Sequence, residues 1–220
     1  MSGFGSQPLT FGSQGEPTLD HTDYELLKLA LQNEKAAPEL LPYEDELVQR
    51  VYLQLEHQEQ AIQEAEASSE QELLRTIFSV EVTRVKYMLR SYLRTRLFKV
   101  EQFVMHCLDS PEVRERLSPL EDTYAQQYTR LVVGHLANTV SSKLPEAFSS
   151  VFKQASAHAT NDMIPVPDLG RHVFVKILRD LGQVEVYEDG GMHELNKGDL
   201  YIMKYNMLRP MLADGAVQLI

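Results

Sequence analysis

The longest apolar periodicity in this chain runs through Phe78, Val82, Val85, Leu89, Leu93, Leu97, Val100 and Val104, at steps of three and four residues. Ser69 and Glu72 stand at capping-box spacing ahead of it, so the pattern predicts one helix from Ser69 to Val104. At 1.5 Å per residue such a helix is about 50 Å long. A compact domain of this size is only about 40 Å across. A second apolar side, Val80, Tyr87 and Phe98, lies nearly opposite the first at 100° per residue. A helix too long for its own domain and apolar on two sides is expected to be covered by a neighbouring chain, so Val80, Tyr87 and Phe98 are candidate subunit-interface residues.

Shorter helices flank this one. Thr22 and Glu25 form a capping-box spacing before Leu27, Ala30 and Leu31, and Pro38 closes that helix. After Pro42, a second helix with Val48, Val51, Tyr52, Leu55 and Ile62 on one side is expected to reach about Ala67. Ser118, Pro119 and Glu121 place a cap, an N1 proline and an N3 acid in order, launching a further helix to Leu144, where Pro145 stops it. Beyond residue 162 the period changes to two: Val173, Val175 and Ile177, then Val184 and Val186, then Leu200 and Ile202 on to Tyr205, then Ala216 to Ile220. Asp189 to Gly191 and Asn196 to Gly198 supply reversals. The expected fold is mainly α, with an N-terminal helical bundle of four to five helices followed by a small C-terminal β-rich domain. The expected boundaries are a flexible tail over 1–20, a helical domain over 21–144, a linker over 145–162 with a short turn at Phe148 to Phe152, and the β-rich domain over 163–220.

Composition narrows the function. Of the 220 residues 32 are acidic and 21 basic, a formal net charge of −11, which argues against a dedicated duplex binder because phosphate neutralisation needs a basic surface. The single cysteine, Cys107, rules out an internal disulfide and suits a reducing compartment and a core position. The first 15 residues carry no charge and no apolar block, so no secretory signal is expected, and no stretch approaches the roughly 20 apolar residues of a membrane span. No histidine has a glutamate three residues before it, which excludes the di-iron ligand pair. His193 and Glu194 begin like a zinc-protease helix, but Lys197 stands where the second histidine belongs. Phosphate loop, nucleophile elbow and calcium loop are likewise missing. The reading is therefore of a non-enzyme, with no catalytic, metal or cofactor residue.

Charge is unevenly distributed. Residues 21–72 hold 13 acids and 3 bases, whereas residues 73–104 hold 2 acids and 7 bases. Within the basic helix Arg96 points along the apolar stripe with Phe78, Val85 and Leu89. A guanidinium there needs a partner, because an uncompensated buried charge costs several kcal/mol. The acidic helix offers one, so a structural ion pair is expected between Arg96 and Glu59, with Glu56 as second choice. At the other end of the chain, Val217, Leu219 and Ile220 are apolar with no solvating tail, and an end of that kind is normally tied into a sheet or a partner.

Five runs carry a resemblance: NEKAAPELL at Asn33 to Leu41, QLEHQE at Gln54 to Glu59, SYLRTRLFKVEQF at Ser91 to Phe103, VPDLGRHVFV at Val166 to Val175 and GAVQLI at Gly215 to Ile220. In order and layout, from about residue 22 onward, the chain resembles the Sld-five subunits of the eukaryotic GINS complex. The resemblance implies a nuclear, non-catalytic subunit of a heterotetramer whose partners are the three Psf subunits. It further implies a scaffold role with the Cdc-forty-five protein and the MCM ring in the replicative DNA helicase, ATP hydrolysis belonging to the ring, and links to DNA polymerases alpha and epsilon and to a trimeric replisome adaptor. In the family the β-rich domain docks on a neighbouring subunit, and the motif residues here, Tyr92, Leu93, Arg94, Arg96 and Leu97, serve assembly. In some members an N-terminal peptide binds the adaptor, but residues 1–20 lack the acidic-hydrophobic helical pattern for it.

Two other functions compete. One is a stand-alone interaction adaptor with weak single-stranded DNA contact through Lys86, Arg90, Arg94 and Lys99; sealed burial of those cations would count against it. The other is a metal-dependent hydrolase, which would require stoichiometric metal.

Overall fold

The computed structural model describes residues 22–64, 69–145, 164–185 and 192–220. The expected tail over 1–20, the end of the second helix at Ala67, the linker from 146 to 162 with its turn at Phe148 to Phe152, Val186 and the reversal at Asp189 to Gly191 all lie outside the described residues. Among the described residues seven α-helices and five strands follow one another: α1 (Asp23–Ala36), α2 (Asp45–Glu64), α3 (Ser69–Gln102), α4 (Val104–Asp109), α5 (Pro111–Arg114), α6 (Pro119–Thr139), β1 (His172–Ile177), β2 (Gly182–Glu185), β3 (Met192–Leu195), β4 (Leu200–Lys204), α7 (Tyr205–Ala213) and β5 (Val217–Leu219). The fold is mainly helical with a small antiparallel sheet near the C-terminus, as the periodicities imply.

Local chemistry sets the ends. The Thr22 hydroxyl accepts from the Glu25 amide at 3.4 Å, and the Glu25 carboxylate accepts from the Thr22 amide at 3.1 Å. Helix α1 stops at Ala36 because Pro38 pushes the preceding residue out of helical geometry. The long helix is 34 residues, two short of expectation: Phe103 leaves helical geometry (φ −116°, ψ 26°) and α4 begins after it. At α6 the Ser118–Glu121 capping box is complete, with Pro119 at the first turn.

Two compact units are built from these elements. Among the described residues, one joins 22–31 to Glu44–Tyr92, and the other joins Gln32–Tyr43 to those from Leu93 onward. In the first, α2 buries Leu47, Val51 and Leu55 at steps of four, and Val82, Met88, Leu89 and Tyr92 of α3 are buried as well. Phe78, which opens the apolar stripe, is exposed instead.

The second unit holds the sheet, in the order β4-β1-β5, beside a separate β2-β3 hairpin. Strand β1 alternates strictly, Val173, Val175 and Ile177 inward and His172, Phe174 and Lys176 outward. Its inward row packs with Met203, Tyr205, Leu208, Val217 and Leu219, and Ala37 of the segment between α1 and α2 joins the same core. A second cluster places Leu40 of that segment with Val100, Val104 and Ala125. Tyr205, read from the sequence as the end of a strand, opens helix α7, which repeats Tyr205, Leu208 and Leu212 on its inner side despite Pro210. Gly215, at φ +64°, then supplies the left-handed turn that ends α7 and starts β5. Gly198, at φ +96°, does the same for the reversal before β4.

Cys107 is buried, and burial pushes its thiol up to about 11. Because only the thiolate reacts, a shift of two units from the ordinary 9.0 leaves roughly a hundredfold less of the reactive form at pH 8. Disulfide-exchange labelling is expected to be at least that much slower in the folded chain than in urea, and equal rates would contradict the burial.

Candidate functional site: a buried ionic cluster and the faces left open

The sequence feature that demanded a partner, Arg96, lies at the centre of the second unit and is fully buried. Helix α3 aims it inward, and five oxygens surround it. Its Nε and Nη2 grip Glu121 side-on at 2.8 and 3.0 Å, Nη1 donates to Glu34 at 3.2 Å and to the Leu41 carbonyl at 2.7 Å, and Nη2 donates to the Arg116 carbonyl at 2.9 Å. The Tyr43 ring lies 5.2 Å from the guanidinium carbon. Glu121 is held in turn by the Ser118 amide at 2.9 Å, so one carboxylate both caps α6 and neutralises Arg96.

One turn further along α3, Lys99 donates to Glu34 at 2.8 Å and to the Glu39 carbonyl at 2.7 Å. Burial holds the Lys99 ammonium below the ordinary lysine range even though Glu34 pulls the other way. Glu39 ties the segment between α1 and α2 to the C-terminal elements. Its carboxylate accepts from Arg116 at 2.8 Å, from Arg209 at 2.9 Å and from the Tyr205 hydroxyl at 2.9 Å. Burial, with the Glu39 charge beside it, raises the Tyr205 phenol and keeps it protonated as a donor. Next to it the Leu219 amide donates to Asn33 at 2.9 Å and the Gln218 amide to Gln32 at 2.7 Å.

Glu34, Glu39 and Glu121 thus share one interior with Arg96, Lys99 and Arg116, each acid facing at least two donors, and Arg209 reaches Glu39 from the surface. A charged interior of this kind adds little net stability over an apolar one, but leaving one of its members without a partner is costly. Its chemistry is positional. Tyr205→Phe, which removes one of Glu39's donors while two cations remain, is expected to cost about 1 kcal/mol, read as a lower urea midpoint with unchanged slope.

Several sequence expectations are corrected here. Arg96 pairs with Glu34 and Glu121, not with Glu59 or Glu56. Glu59 instead accepts from Lys86, ten residues and about 15 Å of helix axis before Arg96, and Glu56 is exposed. Three candidate interface residues are covered by the chain itself: Tyr92 is buried with its hydroxyl accepting from the Glu44 amide at 3.4 Å, and Val217 and Leu219 belong to the sheet core. The other candidates stand open, with Val80, Tyr87 and Phe98 exposed by 59%, 69% and 65%, Ile220 by 56%, and Arg94 exposed too. Sequence reasoning missed Glu34, Glu39, Lys99, Arg116, Glu121 and Tyr205. A signal existed for some of them: Lys99 is three residues from Arg96 on the same side, and Glu121 was already marked by its capping box.

In the first unit, Arg84 lies over the Tyr24 ring at 5.5 Å beside a cleft of about 290 Å³ that Val51, Leu55 and Val85 also line. Among the described residues no three His, Cys, Asp or Glu side chains stand close enough to share a metal ion, and no helix is long and apolar enough to cross a membrane.

Comparison with known proteins agrees with this layout. Residues 23–140 match the family model described as GINS complex protein helical bundle domain, and residues 167–220 match the model described as DNA replication complex GINS protein SLD5 C-terminus. Similar relatives carry the name DNA replication complex GINS protein SLD5. The one from Arabidopsis thaliana is 36% identical over 208 residues, covering 93% of this chain and 94% of its own. The one from Homo sapiens is 32% identical over 206 residues, covering 89% and 88%. The one from Schizosaccharomyces pombe is 29% identical over 207 residues, covering 93% and 95%. With both models matched in order and full-length relatives in plants, animals and yeasts, the chain belongs to the SLD5 family of GINS proteins.

Proposed function

We propose that this chain is a non-catalytic subunit of a nuclear GINS heterotetramer and acts as a scaffold of the replicative DNA helicase in initiation and elongation. Its immediate partners are the three Psf subunits. Through the assembly it meets the Cdc-forty-five protein and the MCM ring, and the polymerases alpha and epsilon and the trimeric adaptor lie beyond them. The helical domain over 21–144 and the β-rich domain over 163–220 are its working parts. The observation that carries this reading is the open apolar side of α3, where Val80, Tyr87 and Phe98 each expose more than half of their surface, in a family whose members are named as parts of a complex. Large apolar side chains repeated along one helix in this way mark an interaction surface.

The adaptor reading with single-stranded DNA contact is less well supported. Of its four cations, Lys99 is buried against Glu34 and Lys86 is bonded to Glu59, leaving Arg90 and Arg94 exposed. The deciding experiment is co-expression with and without the three companions, followed by molar mass in solution. A stoichiometric four-chain species is expected, together with poor solubility of the chain alone. A well-behaved lone monomer that ignores the companions would overturn the proposal.

A further inference from the structure

A cleft of about 290 Å³ lies wholly within the first unit. Val51 and Leu55 of α2 and Val85 of α3 give it apolar walls, and Gln54, Tyr24 and Arg84 line it too. Pockets for whole small molecules start at about 300 Å³, so this one has room for a single large side chain.

Gln54 adds an unmet demand. Its Nε2 donates to Asp23 Oδ2 at 3.2 Å, and Asp23 Oδ1 accepts from Arg50 at 3.0 and 3.1 Å. A carboxylate accepting on both oxygens sets the amide with its nitrogen toward Asp23 and its oxygen away. That oxygen is shielded from solvent and receives no hydrogen bond. A buried acceptor without a donor is costly, and the cleft that Gln54 lines is the side from which a donor can arrive. Arg84 lies over the Tyr24 ring at 5.5 Å with its side chain 60% exposed. A planar guanidinium offers two faces, of which Tyr24 takes one.

We propose that this cleft binds the indole of a tryptophan, presented by a peptide of a further protein that visits the assembled complex. Indole is a large apolar ring with one N–H donor and no acceptor. It therefore matches apolar walls, one unmet acceptor and one cationic flank. Phenylalanine would leave the Gln54 oxygen unmet, and tyrosine would bring a hydroxyl whose own lone pairs need donors. This chain contains no tryptophan, so none of its own residues fills the cleft in this way. The cleft is complete within one chain, and the inference stands apart from the subunit reading above.

The test uses the full chain purified with its three companions. Two displayed libraries of short peptides, one with tryptophan fixed at the centre and one with phenylalanine, are selected on the complex. The tryptophan library should enrich, and labelled peptides from it should bind, by fluorescence anisotropy, at least tenfold tighter than their phenylalanine counterparts. In Gln54→Met that preference should shrink to threefold or less, because the acceptor is gone while Asp23 keeps Arg50. Arg84→Ala alters an exposed position, so the melting temperature should stay at the wild-type value while both kinds of peptide bind three- to tenfold more weakly. No enrichment, an undiminished preference in Gln54→Met, or binding indifferent to Arg84 would overturn the inference. Peptides that bind the lone chain but not the complex would place a companion in the cleft and overturn it as well. Failure of the chain to join its companions would sink the subunit reading alone, and the same peptides would then be measured on the chain by itself.

Discussion

Replacing Arg96 by methionine is expected to destabilise the fold by about 3 to 5 kcal/mol, the range for removing one partner of a buried ion pair. Methionine keeps much of the volume, so little of the loss comes from a cavity. What remains is Glu121 with its capping contact but no cation, Glu34 with Lys99 alone, and two carbonyls, of Leu41 and Arg116, without their donor. The loss is read by urea denaturation at pH 7 as a lower midpoint. Arg50→Met is the control: its bond to Asp23 at 3.0 Å is made by a side chain 44% exposed, and the cost should stay below about 1 kcal/mol. Equal losses in the two variants would sink the account of the cluster.

Leu219→Ala is expected to cost about 2 to 5 kcal/mol, because the side chain is fully buried in the sheet core and its removal leaves a cavity. Ile220→Ala, one residue on, removes a side chain that is 56% exposed and points to the other face, so the melting temperature of the lone chain should barely move while affinity for companions falls. The two adjacent positions thus divide fold from assembly. A thermal melt and a co-purification assay on both variants read the division directly. Similar melting losses in both would contradict the alternation of β5.

What the sequence could disclose follows from the range of each force. Capping boxes at Thr22 and Ser118, the stop at Pro38 and the strict alternation of β1 act within a few residues, and all stand where the pattern put them. Arg96 was legible as an inward charge because helical phase is local. Its partners were not, since Glu34 lies 62 residues away, on the last turn of α1. Charge blocks pointed to α2, and α2 does supply a partner to α3, but at Lys86. Helix α7 was hidden for a different reason. Pro210 sits inside it and two methionines dilute its stripe, so tertiary packing of Tyr205 and Leu208 outweighs a weak local preference. The C-terminal residues were read correctly as needing cover, and the division of that cover between inside and outside appears only when strand phase is known.

The bonds that close the second unit also set a timetable for its birth. Glu39 waits for Tyr205 across 166 residues, and Asn33 waits for Leu219 across 186. At about 5 to 20 residues per second on the ribosome, Asn33 lacks its Leu219 partner for about ten to forty seconds, whereas Glu34 and Glu39 meet Arg96 and Arg116 after only 62 and 77 residues. The ion pairs of the second unit can therefore close well before its last strand leaves the ribosome.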